Sequence, residues 1–200
     1  MSKAVKVRQG SGQLRIIGGI WRGRKLGFLD REGLRPTTDR VRETLFNWLQ
    51  VDVPGSRCLD LFAGSGALGF EAASRGAAKV LMVDNEMDTV DTLKSNINLL
   101  SARQISVVCS DAIRYLSSAK EIFDIVFIDP PYRSEVIVQC CHLLESEQCL
   151  SDHAKIYIEC DARQDLSKES NGLPDNWQCL KHKTAGQVGY HLFERNATSC

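Results

Sequence analysis

The sequence has no run of about 18 apolar residues, the length a membrane-spanning helix requires, and its start, MSKAVKVRQGSGQ, lacks the apolar stretch of a secretory signal. These absences predict a cytoplasmic protein with no membrane partner. No C-x-x-C occurs among the eight cysteines (58, 109, 140, 141, 149, 160, 179, 200), and the four histidines (142, 153, 182, 191) do not pair with them at zinc-ligand spacing. A disulfide scaffold and a bound metal are thereby set aside, and most of the cysteines read as buried thiols acting as small hydrophobes. There is also no internal repeat and no low-complexity block. What is present, 200 residues with 43% hydrophobic content, suffices for one well-cored domain, and a monomer is the default.

The formal net charge is zero but unevenly placed. Residues 1–45 hold eleven Lys or Arg against four acids, a surplus of seven, so the remainder carries minus seven. A basic arm on an acidic body is the footprint of a chain that grips a phosphate backbone with one end. A solvated tail explains only the first residues, and 1–13 read as flexible. Beyond them Leu14, Ile16, Ile17, Ile20, Trp21 and Leu26 interleave with Gly18-Gly19 and Arg22-Gly23-Arg24-Lys25. That pattern predicts a small β-hairpin presenting cations, with Arg15, Arg22, Arg24, Lys25, Arg35 and Arg40 as candidate nucleic-acid contacts. Arg35-Pro36-Thr37-Thr38-Asp39 is a helix start, and the helix should run to about Gln50. Its polar stripe of Arg40, Glu43 and Asn47 fits a solvated face and a ligand-facing one equally well. Residues 14–50 thus form an extension to a core over 51–195.

From residue 57 the chain alternates. Strands are predicted at 58–62, 79–83, 105–109, 123–128 and 155–159, and helices at 68–74, 87–100, 112–116 and 136–144. Short apolar strands separated by helices argue a doubly wound α/β fold, a mostly parallel sheet covered on both faces. The tail differs: 177–184 and 188–194 are strand-like runs joined by Ala185-Gly186-Gln187, which predicts an antiparallel hairpin at the sheet edge.

Two loops carry the chemistry. Asp129-Pro130-Pro131-Tyr132 follows the apolar run 122–128. Proline holds the preceding residue extended and has no N–H, so the carbonyls of Asp129 and Pro130 are left without sheet partners. With the Asp129 carboxylate they can accept both hydrogens of an exocyclic amine while Tyr132 stacks on the base that carries it. The plainer alternative is a turn whose Asp caps the next helix. The second loop is Asp60-Leu61-Phe62-Ala63-Gly64-Ser65-Gly66-Ala67-Leu68-Gly69, where Gly64, Gly66 and Gly69 satisfy G-x-G-x-x-G between a strand and a helix. Asp60 just before the glycines would repel a pyrophosphate but suits a cationic amino group, which favours S-adenosylmethionine over a dinucleotide. Asp84 can accept from ribose hydroxyls and Asp111 from an adenine amine, helix capping being the alternative for each.

In this order D-L-F-A-G-S-G, V-D-N-E, S-D-A and D-P-P-Y resemble a class I S-adenosylmethionine-dependent amino-methyltransferase. More narrowly, R-I-I-G-G-I-W-R-G-R-K-L at 15–26 and R-P-T-T-D-R-V-R-E-T-L-F-N at 35–47 resemble the bacterial family that methylates a guanine N2 in small-subunit (16S) ribosomal RNA, and the resemblance spans about 14–195. It implies a seven-stranded Rossmann-like sheet, a cofactor surrounded by Asp60, Phe62, Ala63, Gly64, Gly66, Asp84, Asn85, Asp111 and Ala112, and a target base held by Asp129, Pro130, Pro131 and Tyr132. It also implies the small ribosomal subunit as partner and S-adenosylhomocysteine as product. The segment Asp84-Asn85-Glu86 departs from the family's usual apolar-then-Glu, so the ribose can fall to Asp84 or to Glu86. Three other readings compete: a DNA adenine-N6 methyltransferase, a nicotinamide-dependent oxidoreductase, and a non-catalytic RNA-binding module.

Overall fold

Apolar residues at the strand positions, with glycine turns between, build nine strands and five α-helices among the described residues. The computed structural model describes residues 11–29, 38–131, 134–164, 166 and 172–196. The hairpin strands β1 (Ser11–Arg15) and β2 (Lys25–Leu29) flank a 3-10 turn at Gly19–Trp21. Helix α1 (Asp39–Trp48) follows, and Thr38 caps it by accepting from the Val41 N–H. Then come β3 (Arg57–Asp60), α2 (Ala67–Ser74), β4 (Lys79–Asp84), α3 (Met87–Leu100), β5 (Ile105–Cys109) and α4 (Ala112–Leu116). The chain continues with β6 (Phe123–Ile128), α5 (Ser134–Ser146), β7 (Leu150–Asp161), β8 (Trp177–Ala185) and β9 (Val188–Arg195).

Seven strands form one sheet in the order β5-β4-β3-β6-β7-β9-β8. Its first five members are parallel; β9 runs antiparallel to β7 and β8 antiparallel to β9, as the doubly wound reading with a terminal hairpin requires. Because side chains alternate across a strand, the sheet feeds two cores. Cys58, Phe127, Tyr157 and Leu192 face one, shared with α1, α2, α3 and the N-terminal hairpin. Leu59, Val126, Ile158 and Phe193 face the other, shared with α4 and α5. No helix among the described residues is long and apolar enough to cross a membrane.

Three expectations shift. The first strand begins at Ser11, inside the segment read as flexible, because residues 11–13 pair with Leu29, Phe28 and Gly27. Strand β7 starts five residues before the predicted 155: the exposed Asp152 and His153 break the apolar pattern, but Leu150 still pairs with Phe123 ahead of a register shift. Strand β3 ends at Asp60 rather than residue 62: the Leu61 N–H still reaches the Phe127 carbonyl, but the chain then turns into the glycine loop.

Candidate active site

The strand order reverses between β3 and β6: β3 leads outward to β4 and β5, β6 to β7. In open α/β sheets the crevice at the C-terminal ends of such a pair is where ligands bind. Asp60 ends β3 and Asp129 follows β6, so the two predicted loops meet there.

Asp60 is 2% exposed and accepts from the Gly69 N–H at 3.0 Å. Burial, with Asp129 and Asp84 adding negative potential nearby, pushes its pKa from 3.8 up to about 7. Its proton affinity is higher folded than unfolded, so this group alone makes unfolding free energy fall as pH rises from about 4 to 7. A cation seated against it has the opposite effect, holding Asp60 ionised. The loop itself is shaped by backbone bonds: Ala63 N–H to the Val83 carbonyl at 2.9 Å and Gly66 N–H to the Ala63 carbonyl at 2.7 Å. Gly64 and Gly66 have φ of +49° and +77°. At Gly66 a Cβ would lie 2.6 Å from the Phe70 ring and 2.7 Å from Leu93, so this turn needs glycine on two grounds.

Asp84 is half-buried at the end of β4. Its two carboxylate oxygens accept from the Gly64 and Glu86 N–H groups, both at 2.9 Å. It therefore clamps the glycine loop rather than capping α3, whose N-cap is Glu86 with no side-chain cap bond. A carboxylate oxygen can accept more than one hydrogen bond, so this clamp is compatible with a ribose hydroxyl, and Glu86 stands exposed two residues on. Asp111 does cap α4, accepting from the Arg114 N–H at 3.0 Å, just beyond the end of β5 on the same sheet edge. Phe62 and Gly64 are half-buried, Ala63 and Ala112 buried, and Asn85 exposed. Asp129 and Pro130 are half-buried and Pro131 exposed, while Tyr132 lies outside the described residues. Carboxylates converging on one crevice, beside a glycine turn with no room for a Cβ, fit an adenosine ligand carrying positive charge. The same carboxylates would repel a pyrophosphate, which counts against a nicotinamide dinucleotide.

The predicted cations lie elsewhere. Arg15, Arg22, Arg24 and Lys25 are exposed on the hairpin, Arg15 reaching Asp39 at 3.1 Å; Arg40 is exposed on α1, and Arg35 lies outside the described residues. Glu43 and Asn47 are also exposed, so the α1 stripe is open to solvent and to a ligand alike. Ile20, expected among the apolar residues of the hairpin, is 76% exposed at its 3-10 turn. Among the described residues no group of three His, Cys, Asp or Glu side chains is placed to hold a metal, and of seven described cysteines Cys58, Cys140, Cys141 and Cys149 are buried.

Two sets of residues escaped the sequence reading. Glu71, 0% exposed on α2, accepts from the Ile17 and Gly18 N–H groups at 2.8 Å each and from Arg75 at 2.7 Å. It lies 3.7 Å from the buried Arg42. Tyr157 donates to Glu159 at 2.7 Å on β7, next to Asp129. The available signal was a lone acid in an apolar run: Glu71 in a helix whose eight residues are all buried, Glu159 after Ile156 to Ile158.

A profile of the family described as Conserved hypothetical protein 95 matches residues 14–194. The chain is similar to the Ribosomal RNA small subunit methyltransferase D of Escherichia coli, 48% identical over 191 residues, 94% of this chain and 93% of that one. To the protein of the same name from Haemophilus influenzae it is 42% identical over 196 residues, covering 96% and 99%. Among solved structures, the putative methyltransferase yhhF from Escherichia coli superposes with a TM-score of 0.85 at 45% identity, covering 94% of this chain and all of that one.

Proposed function

The chain belongs to the family described as Conserved hypothetical protein 95, and from that premise we propose that it is an S-adenosylmethionine-dependent ribosomal RNA methyltransferase acting on the exocyclic N2 of one guanine in 16S RNA. Its site of action is the cytoplasm, on assembled or partly assembled small subunits, and S-adenosylhomocysteine is the product. The observation that carries the reading is the meeting of Asp129 and Pro130 with the Asp60 and Asp84 carboxylates at the strand-order reversal.

Asp60, Gly64, Gly66, Asp84, Asp111 and Ala112 would hold the cofactor, which when bound supplies an electrophilic methyl group on a sulfonium. Guanine N2 is a poor nucleophile because its lone pair is delocalised into the ring. The Asp129 carboxylate and the Pro130 carbonyl accept its two hydrogens, orient the lone pair and favour pyramidal nitrogen. No strong general base is needed. As positive charge develops on nitrogen, Asp129 stabilises it and takes the departing proton. Asp60 and Asp84 keep the glycine loop fixed during this, so the reacting atoms can be held at roughly 3 to 3.5 Å. The base must leave its stack to enter, with Tyr132 replacing part of the lost stacking. The cations of the hairpin supply phosphate contacts that set register without reading sequence.

The test is transfer of labelled methyl to small subunits from cells lacking the enzyme, beside naked RNA and duplex DNA, followed by nucleoside analysis. N2-methylguanosine is the expected product; label in N6-methyladenine of DNA would overturn the reading. Asp129→Ala should abolish turnover yet leave S-adenosylhomocysteine affinity within about threefold by calorimetry, as expected for an interaction made only with the reacting base.

A further inference from the structure

Glu159 and Tyr157 lie on β7, one strand from the end of β6. The pairing of Ile128 with Ile158 puts Glu159 beside Asp129, and the alternation of the strand puts Phe127, Asp129, Tyr157 and Glu159 on one face. The Phe127 and Tyr157 rings meet edge-on with centroids 6.4 Å apart. Tyr157 is fully buried, and its phenol donates to Glu159 Oε1 at 2.7 Å, fixing a carboxylate that is only 7% exposed. Burial first, then the negative charges of Glu159 and Asp129, hold the phenol proton on well above the ordinary tyrosine range. Tyr157 is thus the donor of this bond and Glu159 its acceptor. A carboxylate this buried is costly, and it stands one register step past the Ile128–Ile158 pair, level with Asp129.

We infer that Glu159 selects guanine, accepting the ring N1–H beside the amine held by Asp129 and Pro130, with Tyr157 as its positioning residue. The inference rests on the guanine-N2 reading. Guanine offers N1–H and the N2 amine as adjacent donors along one edge, and an ionised carboxylate only accepts. Two carboxylates side by side on one sheet face match that edge. Adenine would present the lone pair of N1 next to its amine, so the same carboxylate would face it with no proton between them.

The experiment uses small subunits reconstituted with 16S RNA carrying either guanine or 2-aminopurine at the methylated position. The analogue keeps the 2-amino group and has a lone pair where guanine has N1–H. Wild-type enzyme should prefer guanine by about a hundredfold in kcat/KM, the scale for leaving a buried polar group unpaired. In Glu159→Gln the ratio should collapse to within about threefold, because the amide can accept or donate. Tyr157→Phe should lower the ratio severalfold. If Glu159→Gln slows both substrates by the same factor, or abolishes both, Glu159 only supports the fold and the inference fails. A wild-type enzyme that methylates guanine N2 yet treats the two bases alike overturns this inference while leaving the reading intact. A wild-type enzyme that puts no label on guanine N2 sinks both.

Discussion

The chain has an antiparallel hairpin towards each end, and the two are attached to the body by different physics. The C-terminal pair joins by backbone: β9 bonds to β7 over seven residue pairs, from Lys155 with Glu194 to Asp161 with Val188. The N-terminal pair forms its own two-stranded sheet and is held by side chains. Glu71 accepts two of its N–H groups, Ser74 bonds Gly18 and Trp21, Asn96 reaches the Gly27 carbonyl at 2.8 Å, and Arg42 reaches the Arg15 carbonyl at 2.9 Å. Gly18 and Gly19 permit the approach: a Cβ on Gly19 would lie 1.8 Å from the Ser74 carbonyl oxygen. A ladder divides its strength among many backbone groups that no single side-chain truncation removes. Beside the apolar packing of Leu14, Ile16, Leu26 and Phe28, the polar part of the docking is concentrated in a few residues, so one change there costs more than one in the ladder.

Glu71→Ala should break this contrast most severely. It orphans two N–H groups and takes away the fully buried carboxylate that faces Arg42 and Arg75, a loss of about 3 to 5 kcal/mol that urea unfolding would measure. Binding to small subunits should fall with it, because the cations no longer have a rigid mount. A change under about 1 kcal/mol would show that the hairpin docks without Glu71. Gly19→Ala comes next, at about 1 to 3 kcal/mol, since its φ of +73° and the Ser74 carbonyl both oppose a side chain. Replacing Arg22 and Arg24 together with alanine should leave the unfolding midpoint unchanged but flatten the salt dependence of RNA binding. The slope of log K against log salt should drop by about 0.7 for each phosphate that the protein no longer neutralises. An unchanged slope would remove these arginines from the interface. The smallest effect belongs to the laddered hairpin: Lys183→Ala, exposed on β8, should shift stability by no more than about 0.5 kcal/mol.

Much of the fold was legible because its causes are local. The strand at 123–128 and its abrupt end follow from β-branched residues running into Pro130-Pro131, and α3 was readable at 87–100 from its apolar spacing. The cofactor loop was legible too, since glycines that must take positive φ advertise themselves. Asp111 illustrates the limit: capping and ligand binding draw on the same residue type, and the structure shows its side chain capping α4. Strand β7 reaches back to residue 150 because Leu150 pairs with Phe123 before the register shifts and Lys155 meets Ile125, a long-range pairing that the residues at 152 and 153 do not reveal.

By itself, then, the sequence determined the order and type of the elements, the two motif loops and the basic character of the first 45 residues, all properties of neighbours in the chain. Tertiary structure alone decided which carboxylates share the crevice and what holds the hairpin. Glu71 meets Ile17 across 54 residues, and Glu159 stands beside Asp129 only because β7 pairs with β6 in one register. Contacts of that kind come from how buried surfaces fit together, and residue spacing does not encode them.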